Sequence, residues 1–157
     1  MAKKKSPKAR GGRVARKAPE ILVLSREDVE HYEPASREVC ISISDPRAQP
    51  AGVSPTFLAV LRMQFDDLIE RGESTDILFA ADHARAINEF IDQWGDVDRV
   101  VLHCNMGVSR SPAVALGLCD LHGWATASLE RSHPGWNRLV RSVMVQSGTS
   151  GNSGRSS

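Results

Sequence analysis

The segment from residue 104 to residue 111 combines a nucleophile with groups that bind an anion. Cys104 directly follows an apolar, β-branched run, and Arg110 directly precedes a stretch with helical character. A loop between a strand and a helix collects backbone N–H groups and the positive end of the helix dipole, which together bind a tetrahedral oxyanion. The same field lowers the pKa of a cysteine from about 8.5 to between about 3.5 and 7.5. The pattern therefore predicts a thiolate that faces a bound oxyanion.

The other side chains of this loop suit the same chemistry. Gly107 lets the backbone turn tightly and approach an anion closely. The planar guanidinium of Arg110 can donate two parallel hydrogen bonds to phosphoryl oxygens. Ser111 places a hydroxyl within reach of the sulfur, and Pro112 suits the first turn of a helix. The loop therefore suits a tetrahedral oxyanion such as a phosphoryl group.

Strands and helices alternate on both sides of the loop and must position it. Apolar and β-branched runs predict four strands, at residues 21–24, 38–44, 58–65 and 99–103. Helical spacing and cap signals predict helices after Ser25 and over residues 80–94, 110–122 and 135–145. This alternation predicts an α/β fold, with a central, mostly parallel sheet of four to five strands flanked by helices. Ligands of such sheets bind at the carboxyl ends of the strands, which is where Cys104 lies.

Length and composition exclude several other classes of protein. The chain has 157 residues, 41% of them hydrophobic and 25% charged, which is typical of one globular domain with a real core. The apolar runs are far shorter than a membrane span of about 20 residues, and the basic start lacks the apolar stretch of a secretory signal. Three scattered cysteines, Cys40, Cys104 and Cys119, form neither a disulfide framework nor a zinc motif. We therefore expect a cytoplasmic protein without a transmembrane segment.

Charge divides the chain into a basic tail and an acidic remainder. Residues 1–20 contain eight of the 20 basic side chains but only Glu20 of the 19 acidic ones, for a net charge of +7. The rest has 12 basic and 18 acidic side chains, for a net charge of −6. We predict disorder for this basic tail and for the Gly/Ser-rich segment 147–157, which leaves 21–146 as the folded domain. The alternatives for the basic tail are a weak contact with a polyanion or with the acidic remainder of the chain, a merely solubilising role and, less favoured, a mitochondrial transit peptide.

Residues 103–111, HCNMGVSRS, match the pattern HCxxGxxR[ST] and resemble the protein tyrosine phosphatase superfamily. The ending GVSRS is most similar to the dual-specificity branch and its small prokaryotic relatives. The resemblance implies that residues 21–146 form a phosphatase domain that hydrolyses phosphate monoesters without a metal or another cofactor.

The resemblance also implies a role for each residue of the loop. Cys104 would attack phosphorus and form a phosphocysteine, and Ser111 would hydrogen-bond the thiolate that departs in the second step. Arg110 would stabilise the charge of the transition state, and His103 would orient the loop. The phosphoryl oxygens would be bound by the segment Asn105, Met106, Gly107, Val108, Ser109 and Arg110.

Members of the superfamily also use an aspartic acid, upstream of the cysteine, to protonate the leaving oxygen. Asp66 and Asp67 follow the third predicted strand. Alternation along this strand places Asp67 on the same face as Met63 and Phe65, while Asp66 points to the other face. We therefore predict that Asp67 is the general acid. The alternatives, in order, are Asp66 and then Glu73 and Asp76 in the following loop.

The composition of the loop also bears on the substrate. Residues 104–110 include no lysine, unlike the lipid-directed members of the superfamily, whose basic loops bind inositol phosphates. We therefore expect the substrate to be phosphotyrosine, and with it phosphoserine or phosphothreonine, in a phosphoprotein. We also expect the protein to be a monomer. A second interpretation is a phosphatase of a nucleotide, an RNA end or a small metabolite. A third is a pseudophosphatase that binds phosphate without turnover.

Overall fold

The computed structural model describes the backbone of residues 17–156 and the side chains of residues 17–148. Within these residues there are four strands: β1 (Glu20–Leu24), β2 (Glu38–Ser44), β3 (Val60–Gln64) and β4 (Arg99–His103). The helices in the same part of the chain are α1 (Arg26–Glu30), α2 (Ala81–Trp94), α3 (Arg110–His122), α4 (Ala127–Ser132) and α5 (Arg138–Ser156). The predicted α/β fold is thereby confirmed.

The four strands form one parallel sheet in the order β1-β4-β2-β3. Strand β4 therefore lies in the interior of the sheet, paired with β1 on one side and β2 on the other. Its last residue, His103, pairs with Leu24 and Ser42. The chain thus leaves β4 at the middle of the carboxyl edge of the sheet, where ligands of parallel sheets bind.

The two faces of the sheet are covered differently. Side chains such as Ile41 and Leu102 pack into the larger core, together with buried residues of α2, α3 and α5. Cys40 and Val101, which point to the other face, pack in a smaller cluster with Val29 of α1 and residues of the loop after β2. Helices therefore flank the sheet on both faces, as predicted, and most of them lie on one face.

Helix α3 is held in the larger core along most of its length. All of its residues from Arg110 to Cys119 are buried, as expected of a helix that packs on every side. A Cβ atom at Gly117 would lie 2.5 Å from the Cβ of Met144, so α3 and α5 approach more closely than another residue would permit. The N-terminus of α3 is therefore fixed relative to the sheet, and with it the preceding loop.

The structure departs from the sequence prediction at three places. Strand β3 covers only 60–64 of the predicted 58–65, because it is an edge strand that pairs with β2 alone. Helix α4, which has no buried residue, was not predicted. Helix α5 begins at Arg138 rather than at residue 135 and continues past the predicted end at residue 145 to Ser156, with a contact to α3 at Gly148 beside Leu121.

The predicted basic tail, 1–20, falls largely outside the described residues, which begin at residue 17. Its last residue, Glu20, belongs to β1 and forms an ion pair with Arg99 at 2.6 Å. None of the helices described between residues 17 and 156 is both long and apolar enough to cross a membrane.

Candidate active site

The loop between β4 and α3 is pressed against the turn that follows β1. Gly107 has a φ of 73°, in the left-handed region that favours glycine. A Cβ atom there would lie 2.8 Å from the carbonyl carbon of Leu24 and 2.9 Å from the amide nitrogen of Ser25. The amide of Arg26 also donates a hydrogen bond to the carbonyl oxygen of Asn105 at 2.9 Å. Glycine at 107 is therefore required by the backbone contact as well as by the conformation.

Cys104 opens this loop and is 2% exposed. Its Sγ accepts a hydrogen bond from Oγ of Ser111 at 3.2 Å. Burial raises the pKa of the thiol, but hydrogen bonds from the Ser111 hydroxyl and from the amides of Ser111 and Gly107, together with the charge of Arg110, outweigh it. The pKa of Cys104 is therefore lowered, which favours the nucleophilic thiolate.

The other two cysteines have the opposite character. Burial raises the pKa of Cys40 to about 12 and that of Cys119 to about 11. Both are buried thiols, in agreement with their position in apolar runs of the sequence. Cys104 is thus the cysteine whose surroundings suit it to act as a nucleophile.

Arg110 is buried beside the loop, and one end of its guanidinium is already bound. Its Nη1 donates to Oδ1 of Asp45 at 2.8 Å and to the carbonyl oxygen of Phe65 at 2.9 Å. Its Nε has no hydrogen-bond partner among the described residues. An unpaired buried donor costs free energy, and an oxyanion in the loop would satisfy it. Sequence reasoning assigned Asp45 no role, since a carboxylate at the end of a strand is an ordinary turn residue.

His103 links the loop to the neighbouring strand. Its Nδ1 lies 3.1 Å from the carbonyl oxygen of Cys104, and its Nε2 lies 2.6 Å from Oγ of Ser42 in β2. Burial lowers the pKa of His103, which favours the neutral ring. Because a carbonyl can only accept, Nδ1 carries the proton and Nε2 accepts from the Ser42 hydroxyl. This arrangement suits a residue that orients the start of the loop.

The structure separates the two candidates for the general acid. Oδ1 of Asp67 accepts a hydrogen bond from Oγ of Ser109, in the predicted phosphate loop (residues 104–109), at 2.8 Å, and another from Nδ2 of Asn137 at the same distance. Asp66 instead binds Arg47 at 2.7 Å and the amide of Ile77 at 2.8 Å. Asp67 is therefore beside the phosphate loop, while Asp66 contacts the loop after β2 through Arg47 and its own loop through Ile77.

The two remaining candidates lie further along the same loop. The carboxylate of Asp76 accepts hydrogen bonds from the amides of Gly72 and Glu73, which places Asp76 and Glu73 within a local turn.

Among the side chains of residues 17–148, no three of the types His, Cys, Asp and Glu are arranged to hold a metal ion. The role of Asp67 as an acid stays a prediction.

A buried residue that sequence reasoning did not identify completes the site. Asn137 directly precedes α5, and its Oδ1 accepts a hydrogen bond from the amide of Val140 at 3.1 Å, which caps the helix. The sequence offers an N-cap signal at this position, an asparagine before an amphipathic run. Nothing in the local sequence indicates that the same side chain contacts Asp67.

The parallel sheet, with a loop that contains Cys104 between strand β4 and the buried helix α3, is similar in fold to solved structures of phosphatases. Human DUSP28 is one similar solved structure, with a TM-score of 0.52 and 19% identity, covering 88% of this chain and 97% of that one. The structure of Tk-PTP in its active form also has a TM-score of 0.52, with 15% identity, and the match covers 83% of this chain and 92% of that one. No protein-family model and no curated protein matches the sequence. The resemblance seen in residues 103–111 is thus confirmed for the fold.

Proposed function

We propose that this protein is a cysteine-dependent phosphatase that hydrolyses phosphate monoesters through a phosphocysteine at Cys104. The observation that carries the proposal is the surroundings of this thiol. It is buried at the N-terminus of α3, accepts a hydrogen bond from Ser111, and lies in the same loop as Arg110, whose Nε is unpaired. These are the groups needed to form a thiolate and to bind a phosphoryl group in front of it.

In the first step, the Cys104 thiolate attacks phosphorus. A sulfur–phosphorus bond forms while the bond from phosphorus to the ester oxygen breaks, and Asp67 gives its proton to that oxygen. Nε of Arg110 and the amides of residues 105–110 bind the non-bridging oxygens, where negative charge is concentrated in the transition state. The products of this step are the alcohol or phenol and the phosphorylated enzyme.

In the second step, water replaces sulfur on phosphorus. The Asp67 carboxylate takes one proton from the water as its oxygen attacks, and the sulfur–phosphorus bond breaks. Cys104 leaves as a thiolate, which the Ser111 hydroxyl stabilises from 3.2 Å. Inorganic phosphate is released, and the enzyme returns to its starting protonation state.

We propose phosphotyrosine in proteins as the preferred substrate, with phosphoserine and phosphothreonine as further ones. Two features at the mouth of the site support this. The loop side chains of Met106 and Val108 are 71% and 50% exposed, so they offer apolar surface to an aromatic leaving group. The loop 66–76 contains five acidic residues and a single arginine, which disfavours polyanions such as inositol phosphates or nucleic acid.

We also propose that the protein works in the cytoplasm, a reducing compartment that would keep the buried cysteines as thiols.

The test is hydrolysis of p-nitrophenyl phosphate and of a phosphotyrosine peptide by the wild type and by Cys104→Ser. Removal of the nucleophile should lower kcat by several orders of magnitude, while the intact loop amides and Arg110 still bind vanadate. Cys119→Ser is the matched control, because it changes a buried cysteine outside the loop and should leave most of the activity.

Two results would overturn the proposal. Activity of Cys104→Ser above about one per cent of wild type would exclude a covalent mechanism at this residue. A wild type that binds vanadate but turns over neither ester would instead be a phosphate-binding pseudophosphatase. Activity should also survive EDTA, since no step in the mechanism uses a metal.

A further inference from the structure

Asn137 connects three parts of the candidate site through one buried side chain and its backbone. It is 5% exposed and lies at the start of α5. Its Nδ2 donates to Oδ1 of Asp67 at 2.8 Å and to the carbonyl oxygen of Leu68 at 3.1 Å. Its backbone N–H donates to the carbonyl oxygen of Ser109 at 3.0 Å. The segment with the general acid is therefore bound to α5 and to the phosphate loop at the same point.

The hydrogen bonds to Asp67 use only one of its two carboxyl oxygens. Ser109 and Asn137 both donate to Oδ1, and Oδ2 has no hydrogen-bond partner among the described residues. When Asp67 is protonated on Oδ2, Oδ1 is a carbonyl oxygen and still accepts both bonds. The two donors can therefore fix the rotation of the carboxyl group in both protonation states that the mechanism requires. Without them the terminal torsion of an exposed aspartate is broad.

We propose that Asn137 is a positioning residue for the general acid and directs Oδ2 of Asp67 toward the leaving oxygen. This inference rests on the proposed function, in which Asp67 protonates that oxygen. An incorrectly placed acid reduces the rate only where the leaving group needs a proton. Loss of the Asn137 amide should therefore slow the hydrolysis of esters with poor leaving groups much more than that of activated esters.

The second role of Asn137, as the cap of α5, can be separated from this one. The cap uses Oδ1, which accepts from the amide of Val140, whereas the contact with Asp67 uses Nδ2. Serine is about as good an N-cap as asparagine but has no amide group to donate to Asp67. Asn137→Ser should therefore retain the helix cap and remove the contact with the acid. Asn137→Thr, which also has a capping hydroxyl and no amide, is the second variant, should the first unfold.

The experiment compares kcat/KM for phenyl phosphate and for p-nitrophenyl phosphate. The phenol of the first ester, like that of tyrosine, has a pKa near 10 and leaves poorly without a proton. We expect Asn137→Ser to lower kcat/KM for phenyl phosphate by about tenfold or more and for p-nitrophenyl phosphate by less than about threefold. When Asn137→Ser is added to Asp67→Asn, kcat/KM should not fall further, because the effect of Asn137 acts through the acid that Asp67→Asn has already removed. The thermal midpoint should stay close to that of the wild type.

The other outcomes distinguish which statement fails. Equal losses on both esters, or losses that multiply in the double variant, would show that Asn137 only supports the packing of α5 and would overturn the inference. The inference would also be overturned if Asn137→Ser had the wild-type kcat/KM for both esters while Asp67→Asn lost more on phenyl phosphate than on p-nitrophenyl phosphate. That result would leave the proposed function standing. If the wild type hydrolyses neither ester, the proposed function fails and the inference with it.

Discussion

Ser111→Ala is expected to affect both the thiol of Cys104 and the second chemical step. The hydroxyl of Ser111 is buried and donates directly to the sulfur at 3.2 Å. The substitution removes this donor but leaves the amides of Ser111 and Gly107 and the charge of Arg110, which also favour the thiolate. The pKa of Cys104 should therefore rise while the loop remains able to bind phosphate.

The size of the effect follows from the hydrogen bond that is lost. A hydrogen bond to a charged group contributes about 1.5–3 kcal/mol. Since about 1.4 kcal/mol is tenfold in rate, departure of the thiolate from the phosphoenzyme should slow by roughly 10- to 150-fold. The first step needs the thiolate as a nucleophile and should be less affected at a pH where the thiol is ionised. The phosphoenzyme should therefore accumulate.

Two assays measure these effects. Rapid mixing with p-nitrophenyl phosphate should show a burst of p-nitrophenol followed by a slow steady rate. Alkylation by iodoacetamide, which reacts with the thiolate, should rise with pH and reach its plateau at a higher pH in Ser111→Ala than in the wild type. The other two thiols contribute little, because burial raises the pKa of Cys40 to about 12 and that of Cys119 to about 11.

Ser109→Ala is the matched control, because this hydroxyl lies in the same loop but donates to Asp67. Its alkylation profile should coincide with that of the wild type. If Ser111→Ala shows neither a burst nor a shifted alkylation profile, the hydrogen bond to sulfur does not stabilise the thiolate and this reasoning is refuted.

Three further predictions concern the remaining parts of the chain. Arg110→Lys should lower kcat roughly 10²–10³-fold, because lysine lacks the planar pair of donors, and activity near the wild-type level would assign Arg110 a structural role only. Asp67→Asn should slow hydrolysis of a phosphotyrosine peptide by roughly 10²–10⁴-fold and hydrolysis of an activated aryl ester much less. Asp66→Asn should change both rates little, and the reverse pattern would mean that Asp66 is the acid. Deletion of residues 1–16 should abolish salt-sensitive binding to RNA or anionic vesicles, and equal binding by both proteins would leave that segment a solubilising role.

Much of the fold was predictable from local sequence patterns. The bounds of β2, β4 and α3 coincide with those predicted, because each has strong local signals. Both strands are runs rich in β-branched residues. Helix α3 has a proline in its first turn and is followed directly by a glycine. The same patterns located the phosphate loop, because it directly joins β4 to α3. Helix α4 has no buried residue and therefore no apolar period by which to detect it.

The contacts that complete the site connect distant residues and leave no local signal. Asp67 lies 42 residues from Ser109 and 70 residues from Asn137, and Asp45 lies 65 residues from Arg110. Alternation along a strand could favour Asp67 over Asp66 but could not identify its hydrogen-bond donors. These partners are determined by the order of strands in the sheet and by the packing of α5 on α3. Neither can be derived from composition or spacing alone.

In the proposed mechanism, Cys104 carries the phosphoryl group during turnover. The most direct measurement is to mix the Ser111→Ala variant with p-nitrophenyl phosphate, stop the reaction with acid within the burst, and map the phosphorylated peptide by mass spectrometry. The proposed mechanism predicts one phosphoryl group on Cys104, and none when Cys104→Ser is treated in the same way. Turnover without a phosphorylated cysteine, or with the phosphoryl group on another residue, would contradict it.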